Sequence, residues 1–223
     1  MSEILNLQFS IFNKLKSFWK KPKVVIVTGN GRKTAFEAIS HLLKKYFEVN
    51  KNILVFETNL KDPQEFRKLQ ILAKKSELPT LVITHIGEIP TDKLSFNGSE
   101  TEISEIRDFL KIFSQFKRRY LVLNFDDDTV RNFKKENPVN SLTFGFQEGA
   151  DFMCSDIKMN GGTNFKINYD GKTVPFWIEK ALAKEQIYSI LSAAAVGTIL
   201  NLNLVEISET LKNWGVDTCN KIA

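Results

Sequence analysis

A strand, a glycine-broken loop and a helix follow one another near the start of this chain, and few folds accommodate that order. Residues 24–43 read VVIVTGNGRKTAFEAISHLL. An apolar β-branched run stops at Gly29, and apolar residues resume at helical spacing after Lys33 and Thr34. The pattern predicts a buried strand that delivers the chain to a helix N-terminus. There, backbone N–H groups can face a phosphate, with Lys33 as a point charge and the Thr34 hydroxyl available to a metal. The loop departs from the usual phosphate-loop pattern, because the position directly before the Lys, ordinarily Gly, is Arg32, and the glycines are Gly29 and Gly31. Two readings stay open: a nucleotide-binding loop of Gly29, Gly31, Arg32, Lys33 and Thr34, or a strand-turn-helix unit that binds nothing and uses its glycines only for the turn.

The rest of the chain alternates strand and helix patterns, the signature of a parallel sheet with crossover helices. Ile53–Glu57, Leu81–Thr84, Tyr120–Asn124 and Leu142–Phe144 are the further strands, and helices are predicted over 64–75 and from about Glu102 to Arg118. From Ala150 the pattern changes to strands broken at Gly161-Gly162 and at Asp170-Gly171, which predicts a small antiparallel extension. Helices return at 183–200 and 205–214. The expected fold class is therefore α/β, a mostly parallel sheet flanked by helices.

At 223 residues the chain suits one α/β domain with a short appendage, and a domain of that size buries about 70% of its unfolded surface without staples. Cys154 and Cys219 match no metal-ligand spacing and are not catalytic candidates; together with the lack of a membrane-spanning apolar run or a signal peptide, they predict a reduced, cytoplasmic protein. The net charge of +5 is uneven. Residues 1–23 hold five lysines (Lys14, Lys16, Lys20, Lys21, Lys23) against Glu3, or +4, which leaves +1 for the remainder. No nucleic-acid partner is expected from so local a footprint. In residues 1–21, Ile4, Leu5, Ile11, Phe12, Leu15, Phe18 and Trp19 share one helical stripe, which predicts a basic amphipathic helix ended by Pro22. Its stripe is expected to pack on its own domain or on a second copy in a homo-oligomer; an anionic membrane surface is the alternative partner.

In such folds ligands sit at the carboxyl ends of the strands, so the polar residues there are the site candidates. They are Lys33 and Thr34 after the first strand, Glu57 after the second, Thr84 and His85 after the third, and Asn124 followed by Asp126, Asp127 and Asp128 after the fourth. Glu57, facing a phosphate loop, could hold Mg2+ bridging to nucleotide phosphates, or could be a solvated acid. The aspartates could equally cap the following helix, and His85, without a spaced partner, reads as a hydrogen-bonded loop residue.

Seven segments, VTGNGRKT, ILVFETNLKDPQEF, LVITHIGE, LVLNFDDD, SLTFGFQEGADFMCSDI, FKINYDGKTVPF and IYSILSAAAVGTIL, stand in the order found in one family. From Lys23 to Trp214 the chain resembles the central ATP-binding domain of the Mur ligases, most of all the branch that adds D-Ala-D-Ala to a UDP-N-acetylmuramoyl-tripeptide. The resemblance implies a nucleotide-binding domain over 22–216, a tail at 217–223, and chemistry in which ATP phosphorylates a carboxylate that an amine then attacks. By matching position it implies that Lys33 and Thr34 meet ATP phosphates and Mg2+, and that Glu57 is a Mg2+ ligand. It places Asn124, Asp126 and Asp127 at the strand end near the nucleotide, and Gln186 and Ser189 where the family seats adenine with an Asn-x-x-Asn pair.

Departures fall at the same chemistry. Arg32 replaces the loop Gly, Pro90 stands at the family's metal-binding His, Arg107 at its carbamylated Lys, and Gln-x-x-Ser at its Asn-x-x-Asn. The family's N-terminal UDP-substrate domain and C-terminal ligase domain are expected to be absent. Three readings follow: a degenerate pseudo-ligase acting as a binding partner, for instance of a cell-wall synthesis protein; a working ligase seen as a fragment or split protein; and a structural interaction module anchored by its N-terminal helix.

Overall fold

The computed structural model describes residues 21–86, 100–137 and 140–215. The amphipathic segment expected at 1–21, apart from Lys21, lies outside the described residues, as do Pro90, Cys219 and the tail at 217–223. Eight strands form one sheet: β1 (Lys23–Thr28), β2 (Ile53–Glu57), β3 (Pro79–Ile83), β4 (Tyr120–Asn124), β5 (Ser141–Gly145), β6 (Phe152–Met159), β7 (Thr163–Tyr169) and β8 (Lys172–Ile178), in the order β2-β1-β3-β4-β5-β6-β7-β8. Pairing is parallel from β2 through to β6 and antiparallel from β6 to β8. The fold class expected from the sequence is the one observed.

Both faces of the parallel part are covered, which is why its strands read as unbroken apolar runs rather than alternating ones. Val25 and Val27 of β1 join the core beneath α1 (Arg32–Tyr46), while Val24 and Ile26 join the opposite core beneath α2 (Pro63–Lys75), α3 (Glu100–Phe113) and α4 (Asp128–Glu136). All four valine and isoleucine side chains are at most 1% exposed, and each contributes about 1.5–3 kcal/mol through burial. On the α1 side lie also α5 (Lys184–Ile199) and α6 (Leu204–Leu211). Every residue of α5 from Ile187 to Gly197 is buried, so this helix is apolar or small on all sides. Gly197 permits its close approach to α1 and α6, since a Cβ there would sit 2.9 Å from Leu42 Cδ2 and from Ile207 Cδ1.

The structure departs from the sequence reading in three places. The helix expected to reach Arg118 ends at Phe113, because the chain must turn back into β4; Arg118 takes the left-handed conformation (φ 52) and Arg119 Nη1 donates to the Phe116 carbonyl. Helix α4 was anticipated only as the helix the aspartates could cap, without bounds, because just Val130 and Phe133 are buried among its nine residues. The antiparallel extension continues the main sheet through β6, whose parallel pairing with β5 covers only Phe144–Phe152 and Gly145–Met153. So short an overlap lets a six-residue connection, 146–151, stand in for the long crossover that parallel strands usually need.

Candidate nucleotide-binding site

Strand β1 lies between β2 and β3, so the chain leaves it at the point where the strand order diverges to either side, the usual ligand position in an open parallel sheet. Gly29 (φ 95) and Gly31 (φ 75) are both left-handed, the conformation glycine adopts without steric cost. Gly29 has a second reason to lack a side chain: a Cβ would come within 2.5 Å of the His85 carbonyl oxygen. The loop is sewn to the end of β3, with the Asn30 N–H donating to the His85 carbonyl at 2.7 Å. The Thr84 hydroxyl lies within reach of the Thr28 and Asn30 carbonyls, its single proton serving one at a time. Helix α1 starts at Arg32, with Gly31 as N-cap, no side-chain cap and no acid in its first turn. Its leading N–H groups are left for an anion, and Lys33 is exposed beside them.

Arg32 folds back over this loop. Its Nη1 donates to the Gly29 carbonyl at 3.1 Å, and its Nε stands 3.3 Å from Glu57 Oε1 at the end of β2. Nε lacks an aligned acceptor, so the contact with Glu57 is an ion pair rather than a directed hydrogen bond. Two further carboxylates feel the same guanidinium. Burial raises the pKa of Glu65 and of Glu102 above the usual carboxylate range, and Arg32 opposes the rise in both. The second metal candidate is also engaged, since Thr34 Oγ1 donates to Glu185 Oε1 at 3.4 Å. Among the described residues no group of three or more His, Cys, Asp and Glu side chains is placed to hold a metal. The arrangement fits a phosphate, with its N–H groups, Lys33 and Arg32. Mg2+ at Thr34 and Glu57 would have to share both with these partners, since the Thr34 hydroxyl donates to Glu185 and Arg32 faces Glu57 Oε1.

The residues ending β4 face inward. Asn124, fully buried, accepts the Asp126 N–H on Oδ1 and sets its amide against the His85 ring at 3.1–3.2 Å. Asp126 accepts the Tyr188 hydroxyl and the Phe146 N–H, each at 2.7 Å, and the Gln147 N–H at 3.0 Å. Asp127 is the N-cap of α4, accepting from Val130 N–H, and its other oxygen takes the Ile86 N–H at 2.8 Å. Burial raises the Asp127 pKa, and its backbone hydrogen bonds hold it back. His85, 2% exposed, meets the Tyr188 ring edge to face at 4.7 Å, and desolvation lowers its pKa to about 4. These side chains hold the loops around the 28–34 turn in place, and burial keeps His85 neutral against the opposing pull of Asp126.

The sequence matches the family model for the Mur ligase middle domain over residues 15–197. The chain belongs to that family. Among curated proteins it is 25% identical, over 87% of its own length and 45% of the other's, to the UDP-N-acetylmuramate--L-alanine ligase of Alkaliphilus metalliredigens. Similar solved structures are a MurF of Acinetobacter baumannii (TM-score 0.69, 16% identity, 94% of this chain and 49% of that one) and the MurF ligase of Thermotoga maritima in complex with ADP (0.66, 20%, 93% and 51%). The chain thus spans about half the length of the relatives it matches.

Against the Mur ligase pattern, the candidate positions separate. Gln186 lines a cavity of about 310 Å3 together with Thr34, His41 and Trp214, although its Oε1 accepts the Ala183 N–H at the start of α5. Ser189 is buried and donates to the Glu185 carbonyl one turn back. Arg107, at the family's carbamylated Lys, pairs with Glu136 at 3.3 Å on the outer surface and lies over the Phe133 ring. It is Glu102, five residues earlier in α3, that senses Arg32. Sequence reasoning missed Glu65, Glu102, Glu185 and Tyr188 as site residues; the three glutamates left a trace there, each as an acid in the opening turn of a predicted helix.

Proposed function

We propose that this Mur ligase middle domain keeps a phosphate-binding loop but is catalytically degenerate as an isolated chain, binding ATP or ADP weakly and with at most a small Mg2+ dependence. The Arg32–Glu57 ion pair carries this reading. Phosphoryl transfer depends on positioning and on neutralising phosphate charge, and here the cation that meets the Glu57 carboxylate is a tethered guanidinium. Arginine stays protonated and can pair with phosphate oxygens, but cannot gather several ligands around itself as a divalent ion does. Pro90 and Arg107, neither of which can replace the metal His and the carbamylated Lys, point the same way. The protein's role is then that of a binding partner, to a second copy or to another cell-wall synthesis protein.

The alternative is an active, MurF-like ligase that joins a peptidoglycan-precursor carboxylate to an amine, with its remaining parts supplied elsewhere. The uncapped α1 N-terminus, with Gly29 and Gly31 both left-handed, is the observation in its favour. Calorimetric titration of ATP in Mg2+ and in chelator separates the two. The degenerate reading expects weak binding that changes less than tenfold. Micromolar affinity that falls tenfold or more on chelation, about 1.4 kcal/mol, would restore the ligase.

A further inference from the structure

A cavity of about 310 Å3 opens beside the phosphate loop, between α1, the start of α5 and the chain that follows α6. Thr34, Glu37, His41 and Lys44 line it at the spacing of one helix face. It therefore starts in the first turn of α1, where the leading N–H groups are left for an anion, and follows that helix toward its C-terminus. A nucleotide with its phosphates on that turn has its nucleoside beside Thr34, at the head of this cavity. The volume lies at the lower end of the range for small-molecule pockets.

To tell one base from another, a pocket must hold donors and acceptors at fixed positions, because bases differ along their edges and not on their ring faces. The polar groups lining this cavity are of two kinds. Those held in place are already engaged by protein: the Thr34 hydroxyl donates to Glu185 Oε1, His41 Nε2 stands 3.1 Å from the Thr210 carbonyl, and Gln186 Oε1 accepts the Ala183 N–H at 2.9 Å. Gln186 Nε2 then offers a donor alone, and every base has an acceptor to meet one. The Ser40 hydroxyl is buried without a partner among the described residues, and it can donate or accept, so it suits any edge. Ser189, at the second position where the family seats adenine, is 3% exposed and turned to the Glu185 carbonyl. The other kind is Glu37, Lys44 and Lys180, exposed charges on long flexible stems that fix no pattern. Phe36 and Trp214 supply apolar contact, which is alike for all bases.

We infer that this chain recognises the phosphates of a nucleotide and not its base: the loop of Gly29, Gly31, Arg32 and Lys33 holds the polyphosphate, and the cavity along α1 admits purine and pyrimidine nucleosides alike. Gln-x-x-Ser in place of Asn-x-x-Asn is the counterpart of this in the sequence. The inference rests on the nucleotide reading above and widens its ligand class to nucleoside triphosphates in general.

The test is calorimetric titration of the full chain with ATP, GTP and UTP, each alone and in competition with inorganic tripolyphosphate. The three nucleotides are expected to bind within about threefold of one another, and tripolyphosphate to displace them all. Lys33→Ala should weaken all three by the same factor. Gln186→Glu keeps an acceptor for the Ala183 N–H and removes the amide donor, so the start of α5 is retained while the base edge loses its fixed partner. Its ATP-to-GTP affinity ratio should stay within about threefold of the wild-type ratio. A preference of about tenfold or more for ATP over GTP and UTP would overturn the inference and leave the nucleotide reading standing. So would a tenfold change of the ATP-to-GTP ratio in Gln186→Glu at an unchanged melting temperature, or failure of tripolyphosphate to compete. Absence of binding by all three nucleotides and by tripolyphosphate would remove the nucleotide reading along with the inference.

Discussion

Tyr188 and His85 pack edge to face beside the 28–34 loop and tie its neighbouring loops together. The Tyr188 hydroxyl donates to Asp126 at 2.7 Å while its ring supports His85, and Asp126 in turn fixes the 146–147 backbone. Tyr188→Phe removes a buried hydrogen bond to a carboxylate and should cost about 1.5–3 kcal/mol in denaturant unfolding. His85 makes a pH prediction. Its folded pKa of about 4 lies below the ordinary 6.5, so the neutral ring contributes stability that is present above pH 6.5 and lost as pH falls toward 4, about 3 kcal/mol in all. Asp127 works in the opposite direction, because a carboxyl with a raised pKa favours the fold as it takes up its proton. Comparing unfolding midpoints of wild type and His85→Gln at pH 7 and pH 4.5 isolates the histidine. The variant should lose less stability over that interval, and an equal loss would show that His85 is not the group responsible.

At the level of elements, the strand-loop-helix unit was legible because each of its parts has a local sequence sign: β-branched residues for β1, glycines for the turn, and apolar spacing for α1. Gly29→Ala tests the turn, since alanine would have to adopt φ 95 and place its Cβ against the His85 carbonyl. A loss of about 2–4 kcal/mol is expected in thermal or chemical unfolding. Gly197→Val tests the α1–α5 contact, where added methyl groups meet Leu42 and Ile207; about 1–3 kcal/mol should be lost. The extent of helix α4 and the early end of α3 were not legible. The first has too few buried residues to set up a period, and the second stops where β4 requires the chain to reverse, which is a tertiary demand that local spacing does not encode.

Across the whole molecule, charge is sorted by the sheet. Among the described residues the first turns of α2 to α5 carry acids, Glu65, Glu100, Glu102, Asp128 and Glu185, while the last turns of α1 to α4 carry lysines; α1 is the exception at its start, with Arg32 and Lys33 and no acid. The +1 of the chain beyond residue 23 hid this sorting, because a net charge carries no direction. In the same way, residue spacing placed Lys33, Thr34 and Glu57 at one end of the sheet but did not show that Arg32 would turn back onto Glu57, or that Thr34 would bond to Glu185 from 151 positions away. Among the described residues Arg32 is thus the tethered cation in contact with Glu57, acting also on Glu65 and Glu102, and its removal should expose carboxylates that can recruit a divalent ion. The decisive measurement is the ratio of ATP affinities with and without Mg2+ in Arg32→Gly, which also restores glycine before Lys33. The ratio should rise to about tenfold or more while staying near one in wild type; a ratio near one in the variant as well, or a wild type already dependent on Mg2+, would contradict the claim that Arg32 takes the place of the metal.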